Sequence, residues 1–517
     1  MVKHLEAQDR LMRHYLGLTQ ALNQKQLYKL LDADWPQIKA RLAYAANGVS
    51  EKAIGFFSDF VLALNTYWDI RGMARDQITW SQQAAAACES ARRHIECSQH
   101  LKNVGNGYHH LGEMENSLTY FRQALAISRE MGDRANEGII LGNVGIIYSD
   151  QGQVEQAFDF YERALAIACE VEDATSEMRQ LINLGVAFHD IGKSDTAITC
   201  YQNAMNIARE VGDKSSEGTI LSNLGVVYID LGQKEKGIEC FQQALNIVSK
   251  VGDRTTEGRC LTNLGVTYHD LGQVQQALDY YQLALIIARD TNYRYGEAKR
   301  LGLIGTAYDT LGQLDKAIEY YQHALIISRE ISHRQAEAEI LTNLGLAYRN
   351  LGQAGEAIEY YKQALSIDRE IDYRRGEEID LGNLGTAYCD LDQQEKAIDY
   401  YDQALTISRE IGDRQNEGLW LGSLGVAYEG LDQTEKAMAY YEQALDIARQ
   451  IGDRESEARH CWNLGLLYKE TDPGQAVAYM SVLINYQREI GHSNAGRNAE
   501  RVAQIQKRLS SSLEVEK

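Results

Sequence analysis

The sequence predicts an all-α protein, a solenoid of stacked antiparallel helix pairs. Three observations carry that prediction. First, a 40-residue pattern recurs without slippage. Leu-Gly stands at Leu184-Gly185, Leu224-Gly225, Leu264-Gly265, Leu344-Gly345, Leu384-Gly385, Leu424-Gly425 and Leu464-Gly465, and Ala-Leu follows in phase at Ala124-Leu125, Ala164-Leu165 and on to Ala444-Leu445. Second, apolar residues in each copy fall at helical spacing: Leu141, Val144, Gly145 and Tyr148 on one segment, then Ala157, Phe158, Tyr161, Ala164, Leu165 and Ala168 on another. Third, the 517 residues hold 2 prolines beside 43 glycines, a balance that suits helices closed by glycine caps. One helix pair cannot bury its apolar stripe alone, so stacked copies bury it in a continuous core.

The elements follow in chain order. Residues 1–60 lie outside the period and read as an N-terminal helical segment, with Pro36 at a first helical position, Ile38, Leu42 and Ala45 at apolar spacing behind it, and Ser50 as the next cap. A degenerate copy at 61–100 keeps the phase through Trp68, Gly72 and Ala84, and nine copies fill 101–460. Gly152 and its equivalents stop the first helix in a left-handed conformation that costs glycine nothing; Asp392 and Asp432 take that place later. Gly-Asp junctions such as Gly132-Asp133 and Gly412-Asp413 close the second helix and cap the next copy, and Glu137 falls in a first turn where the helix dipole favours negative charge. Residues 461–500 hold a terminal helix pair, disturbed by Pro473, and the start of a polar capping helix over 498–509. Residues 501–517 read as the end of that cap and a disordered tail from Ser510.

The order Leu141, Val144, Gly145, Tyr148, Ala157, Tyr161, Ala164 resembles the tetratricopeptide repeat signature, and it does so over 101–500. The chain departs from it in length, since the usual repeat is about 34 residues, and in lacking the proline near the repeat end, where Cys169, Arg209, Arg329 or Arg449 stands. The longer repeat with its Gly-Asp-Arg junction is similar to those of Pins-type adaptors and of bacterial and cyanobacterial arrays. The resemblance implies a right-handed superhelix whose first helices line a concave groove. A second likeness covers about the first 90 residues: Leu31 to Ile38, Trp68, Arg71-Gly72 and Trp80 resemble the helical region before the repeats of STAND-type signalling ATPases.

One column lacks a packing reason. Asn103, Asn143, Asn183, Asn223, Asn263, Asn343, Asn383 and Asn463 precede the Leu-Gly position, broken by Leu303 and Ser423. Asparagine is a mediocre helix former and lies too deep here to cap. Two turns on come Asp150, Asp190, Asp230, Asp270 and Asp390, with Val186, Val226 and Val266 between. The family resemblance implies that this face lines the groove and that the asparagines hydrogen-bond the backbone of an extended peptide, a primary amide offering donor and acceptor together. The valines would add apolar contact, and the aspartates either favour basic side chains or form a solvated rim. The competing structural reading has the asparagines bonding a neighbouring helix to hold the curvature. Arg179, Asn183, Asn223 and Arg259 also match places of the family's carboxylate clamp, although Asn263 stands where its last cation belongs.

Charge narrows the partner. With 52 basic and 73 acidic residues the net charge is −21, which repels phosphate backbones and anionic lipid and so argues against nucleic acid and membrane. No apolar run approaches the roughly 20 residues of a membrane span. Met1 to Arg10 lacks a secretory apolar stretch, and eight cysteines without a CxxC pair read as reduced, mostly buried thiols. The expectation is a cytoplasmic protein. Gly192-Lys193-Ser194 is a turn rather than a phosphate loop, because Ala187 replaces the leading glycine. His94, Cys97 and His100 spread round a helix without a fourth metal ligand. The Tyr-Tyr pairs are packing, and His109, His189 and His269 form a row beside the aspartates. No catalytic, metal or cofactor site is expected. The reading is a non-enzymatic scaffold for a protein or peptide partner, neutral to basic. The alternative is the sensor arm of a STAND-type system acting through a partner.

Overall fold

The computed structural model describes residues 24–46, 51–71 and 73–515, and among them every regular element is a helix. The chain forms two compact units, Met1–Arg300 and Leu301–Lys517, the division falling inside the helix Arg294–Thr310. The first unit opens with Gln24–Ala45, Glu51–Arg71 and Ala74–Ser90, followed by five pairs from His94–His110 and Met114–Met131 to Arg254–Asp270 and Val274–Asp290. The second contains Leu314–Glu330, four pairs from Arg334–Asn350 and Ala354–Glu370 to Arg454–Tyr468 and Pro473–Glu489, and the closing helix Ala495–Val515. In each unit first helices of consecutive pairs touch one another, from His94–His110 through to Arg254–Asp270 in the first and from Arg334–Asn350 through to Arg414–Gly430 in the second, so they form a row.

The repeated glycine is what lets a pair close. A Cβ on Gly145 would lie 2.6 Å from the Tyr161 ring, and the same holds at 2.5 Å for Gly345 against Tyr361 and Gly425 against Tyr441. Those tyrosines are fully buried, while the residue before each is half-buried and stacks on the first-helix tyrosine: Tyr268 on Tyr280 at 5.4 Å, Tyr348 on Tyr360 at 5.1 Å. Gly152 turns between the helices at φ +72°, and Asp392 and Asp432 adopt +57° and +56° in its place. At the junction Gly132 is left-handed at +70°, and the Asp133 carboxylate accepts the Asn136 N–H at 3.1 Å.

Five junctions, at Glu137, Glu297, Glu337, Glu377 and Glu417, also hold a two-arginine clamp, whereas at Glu177 Cys169 and Ala174 stand in place of the arginines. Glu137 is buried yet charged, receiving Arg129 at 2.8 Å from the preceding helix and Arg134 at 2.6 Å; Arg134 reaches on to Glu170 at 2.5 Å. Burial pushes the Glu137 carboxyl up, but the two arginines outweigh it and hold it below the usual carboxylate range. In the second unit Glu337 takes Arg329 and Arg334, and Glu377 takes Arg369 and Arg374 in the same geometry. The first-turn position of Glu137 thus serves a buried ion pair as well as the helix dipole.

Three expectations meet differences. Pro36 lies inside the helix Gln24–Ala45, not at its start. The missing backbone bond is tolerated because residues on both sides are anchored. Leu31, Ile38 and Leu42 are buried against Phe57, Phe60, Val61 and Trp68, and Tyr67 donates to Asp32 at 2.9 Å. The closing helix, whose Val502 and Ile505 pack on Met480 and Ile484, runs to Val515 through much of the expected tail. Cys88, Cys97, Cys260 and Cys461 are buried thiols, but Cys169 is exposed. Met1–Arg10, Ser50 and Gly72 lie outside the described residues.

Candidate functional site

The first-helix row places the asparagine column on one face of each unit: Asn103 to Asn263 in the first, Asn343, Asn383 and Asn463 in the second. Seven of the eight are half-buried. Asn103 is 4% exposed, so its amide is withdrawn from any ligand. Asn143 donates to Asn106 at 2.9 Å and Asn183 to Gln180 at 3.3 Å, each spending one of two N–H groups. Asn223 and Asn463 lie beside the Tyr201 and Tyr441 phenols. Among the described residues none hydrogen-bonds the side chain of Asn263, Asn343 or Asn383. Val186 and Val266 are exposed between the asparagines and aspartates of their helices, at 38% and 37%, and Val226 is half-buried.

The aspartates are less available than the sequence implies. His109 Nε2 lies 2.6 Å from Asp150 and His189 Nε2 2.8 Å from Asp230, each histidine reaching across to the next first helix in the row. In the second unit Arg349 pairs with Asp390 at 3.1 Å, and Asn350 donates to Asp309 at 3.2 Å. These rungs join residues 41 apart, so His109 and His189 of the histidine row are partners of aspartates one copy later, while Thr310 stands at that place for His269. Asp190 and Asp270 are exposed; burial raises the Asp190 carboxyl above its ordinary value, against the pull of His189. Asp270 is 55% exposed, with His269 Nδ1 at 4.0 Å. Arg179 and Arg259 are both exposed. Arg179 lies near Lys102, whose ammonium is drawn down by burial and further by that arginine, and which donates to Asn136 at 3.2 Å. Arg259 lies near the Tyr201 phenol.

Several buried polar residues stand where the other copies are apolar. Arg300 takes the position of Ile140 and Ile220, buried, with Nη1 on the Gly296 carbonyl at 3.0 Å and its guanidinium 5.9 Å from the Tyr293 ring centre. It precedes the ladder break at Leu303 by three residues, at the division between the units. Asp380 takes the same position in its copy, is fully buried, and accepts from Thr342 at 2.6 Å. Burial, and then the neighbouring Asp368, push its carboxyl up to about 8 in spite of Thr342. Asp368 is itself pushed up to about 6 by burial, with Glu339 and Glu377 adding. Glu378, also fully buried, accepts Ser408 at 2.5 Å and the Trp420 indole N–H at 2.8 Å. His100 is fully buried with Nε2 2.8 Å from Ser58 Oγ, and burial draws its imidazole down to about 4. No group of three or more His, Cys, Asp or Glu among the described residues is arranged to hold a metal ion, and no described helix is long and apolar enough to cross a membrane. The sequence signal for the acidic positions was a charge at an apolar column, visible once the copies are aligned.

The tetratricopeptide repeat family matches residues 94–170, 177–236, 216–290, 296–370 and 378–450, well over half of the chain. No curated protein matches it. Among solved structures the chain is similar to BtubC (BKLC) from P. vanneervenii, at 23% identity over 42% of this chain and 92% of that one, with a TM-score of 0.39. It is also similar to a Rap protein complexed with competence and sporulation factor, at 17% identity over 69% and 99%, TM-score 0.44. A third likeness is to a STAND signal transduction ATPase with a tetratricopeptide repeat sensor from Pyrococcus horikoshii, at 14% identity over 67% and 55%, TM-score 0.47.

Proposed function

This chain belongs to the tetratricopeptide repeat family, and from that premise we propose that it is a non-enzymatic interaction scaffold whose first-helix face grips an extended peptide. The observation that carries the reading is the run Asn183, Asn223 and Asn263 in the first unit, three half-buried amides on successive helices of one row, with the exposed Val186 and Val266 one turn further on. Each amide can accept a peptide N–H and donate to a peptide carbonyl, as a neighbouring strand would, without reading side chains. Specificity then falls to the apolar contacts and to charge. Asp150 and Asp230 are occupied by histidines, which leaves Asp190 and Asp270 for a basic side chain, so the guest is neutral to weakly basic.

The test uses linear peptides selected on the full chain from a random library. Asn183→Ala, Asn223→Ala and Asn263→Ala together should leave helicity and melting temperature nearly unchanged while weakening the selected peptide about 10- to 100-fold, each lost hydrogen bond contributing about 1 kcal/mol. A large fall in melting temperature would assign the column to holding the helices together. Unchanged affinity would place the peptide elsewhere.

A further inference from the structure

We propose that the cleft between the second helices Ala354–Glu370 and Gln394–Ile411 is an anion site that takes a phosphate-class oxyanion. The cleft has a volume of about 680 Å³. Three cations line it, Lys362, Arg369 and Lys396, together with Tyr388 and Tyr400; Asp399 is the one acid in the lining. No residue of the asparagine column takes part, so the site is independent of the peptide face.

In a chain of net charge −21 such a convergence is not background. The equivalent places elsewhere in the second unit show how specific it is. The copy before has Gln322 and Glu356 where this one has Lys362 and Lys396, and the copy after has Asp402 and Lys436. Only at 362–403 do both helices of that unit turn a lysine to the shared space.

The geometry brings these groups together. Tyr388 and Tyr400 stack with ring centres 5.3 Å apart and planes 6° from parallel, and the Lys396 ammonium lies 5.2 Å from the Tyr388 centre. Burial and the Tyr388 phenol raise the Tyr400 hydroxyl above its ordinary value, while Lys362 and Arg369 both pull against them, which locates the two cations near that one oxygen.

Present partners leave the lysines available. Arg369 gives its Nε to buried Glu377 at 2.7 Å, a bond that fixes the guanidinium in the cleft wall. Among the described residues the one ion pair of Lys362 is with Glu359, at 3.3 Å and with that glutamate 70% exposed, a solvated pair of the kind that contributes little. Lys396 donates to the neutral Gln393 amide at 2.8 Å. Two ammonium groups, one guanidinium edge and the hydroxyls of Tyr400 and Ser366 supply more donors than the two oxygens of a carboxylate can use. A phosphate dianion, with three free oxygens, matches that number and charge. The phosphate is carried either by a small ester or by a phosphorylated side chain.

Isothermal titration of the full chain with inorganic phosphate, and separately with a phosphoserine hexapeptide, at matched ionic strength, tests the site. At least one probe should bind saturably, and Lys362→Gln with Lys396→Gln should weaken it about 10-fold or more, as expected when charge-assisted hydrogen bonds are lost. Both lysines are exposed, so the double variant should keep wild-type helicity, and Lys436→Gln, in the next cleft, should bind as wild type. Tighter binding of the peptide than of phosphate assigns the anion to a phosphorylated side chain; the reverse assigns it to a small phosphate compound not carried on a protein. Absence of saturable binding by either probe, or equal binding by wild type and the double variant, overturns the proposal.

Discussion

Asp380→Asn should stabilise the second unit at neutral pH and flatten its pH dependence. Folded, the Asp380 carboxyl titrates near 8, against a model-compound value of 3.8. Between those values the native chain keeps the proton that the unfolded chain has released, so stability falls as pH rises through the window, by about 1.4 kcal/mol per pH unit. Below 3.8 both states are protonated and the cost vanishes; above about 8 both are ionised and the cost is complete. The gap of about four pH units corresponds to about 6 kcal/mol in full, and to about 4 kcal/mol at pH 7. The groups acting on the pair do not relieve it: Thr342 donates from one side, Asp368 faces it, and Glu339 and Glu377 add negative charge to Asp368. Because Asp368 and Asp380 titrate together, asparagine should recover about 2–4 kcal/mol at pH 7 and about none at pH 4. It keeps the shape, still accepts from Thr342, and offers Asp368 an N–H. Urea unfolding followed by tryptophan emission, with Trp420 packed in the same joint through Glu378, reads the effect at about pH 4, the foot of the linkage window, and at about pH 7, well inside it. A variant that unfolds at the same urea concentration as wild type at both pH values, or earlier at both, would refute the reasoning.

Two further outcomes follow from buried geometry. Gly345→Ala places a methyl 2.5 Å from the Tyr361 ring and should cost about 1–3 kcal/mol, whereas Gly352→Ala, at φ +77° with nothing within 4 Å, should cost about 1 kcal/mol through backbone strain alone; paired thermal melts rank them, and equal losses would contradict the packing account. His100 charges at about 4 when folded and at 6.5 when free, so the unfolded chain takes up the proton first and stability is lost as pH falls from 6.5 to 4, by up to about 3 kcal/mol. His100→Gln should remove that slope in acid melts, and an unchanged slope would assign it to other groups.

The repeated parts of the fold were legible because their physical demands recur from copy to copy. A glycine against Tyr161, a left-handed Gly152 and a capping Asp133 each favour very few residue types, and the period exposes them even where Asp392, Asp432, His333 or Tyr373 stands in. What was not legible is what depends on distance between copies. Glu137 read as a dipole residue because Arg129 and Arg134 meet it only after folding, and His109 and Asp150 read as separate rows because their contact spans 41 residues. Pro36 misled because helix propensity is local, whereas Leu31, Ile38 and Leu42 hold the helix through it by tertiary contacts. The asparagine column was legible as a pattern. Its differing environments, Asn103 buried and Asn263 open, come from neighbours the pattern does not encode.

The arginine–glutamate clamp has a consequence for how such a chain changes length. Arg329, Arg334 and Glu337 in one joint, and Arg369, Arg374 and Glu377 in the next, are interchangeable plugs and sockets. Duplicating or excising a whole 40-residue module between two such joints therefore rejoins like to like, whereas the joint at Glu177, with Cys169 and Ala174 in place of the arginines, offers no such match. A cut out of register severs a buried carboxylate from its cations.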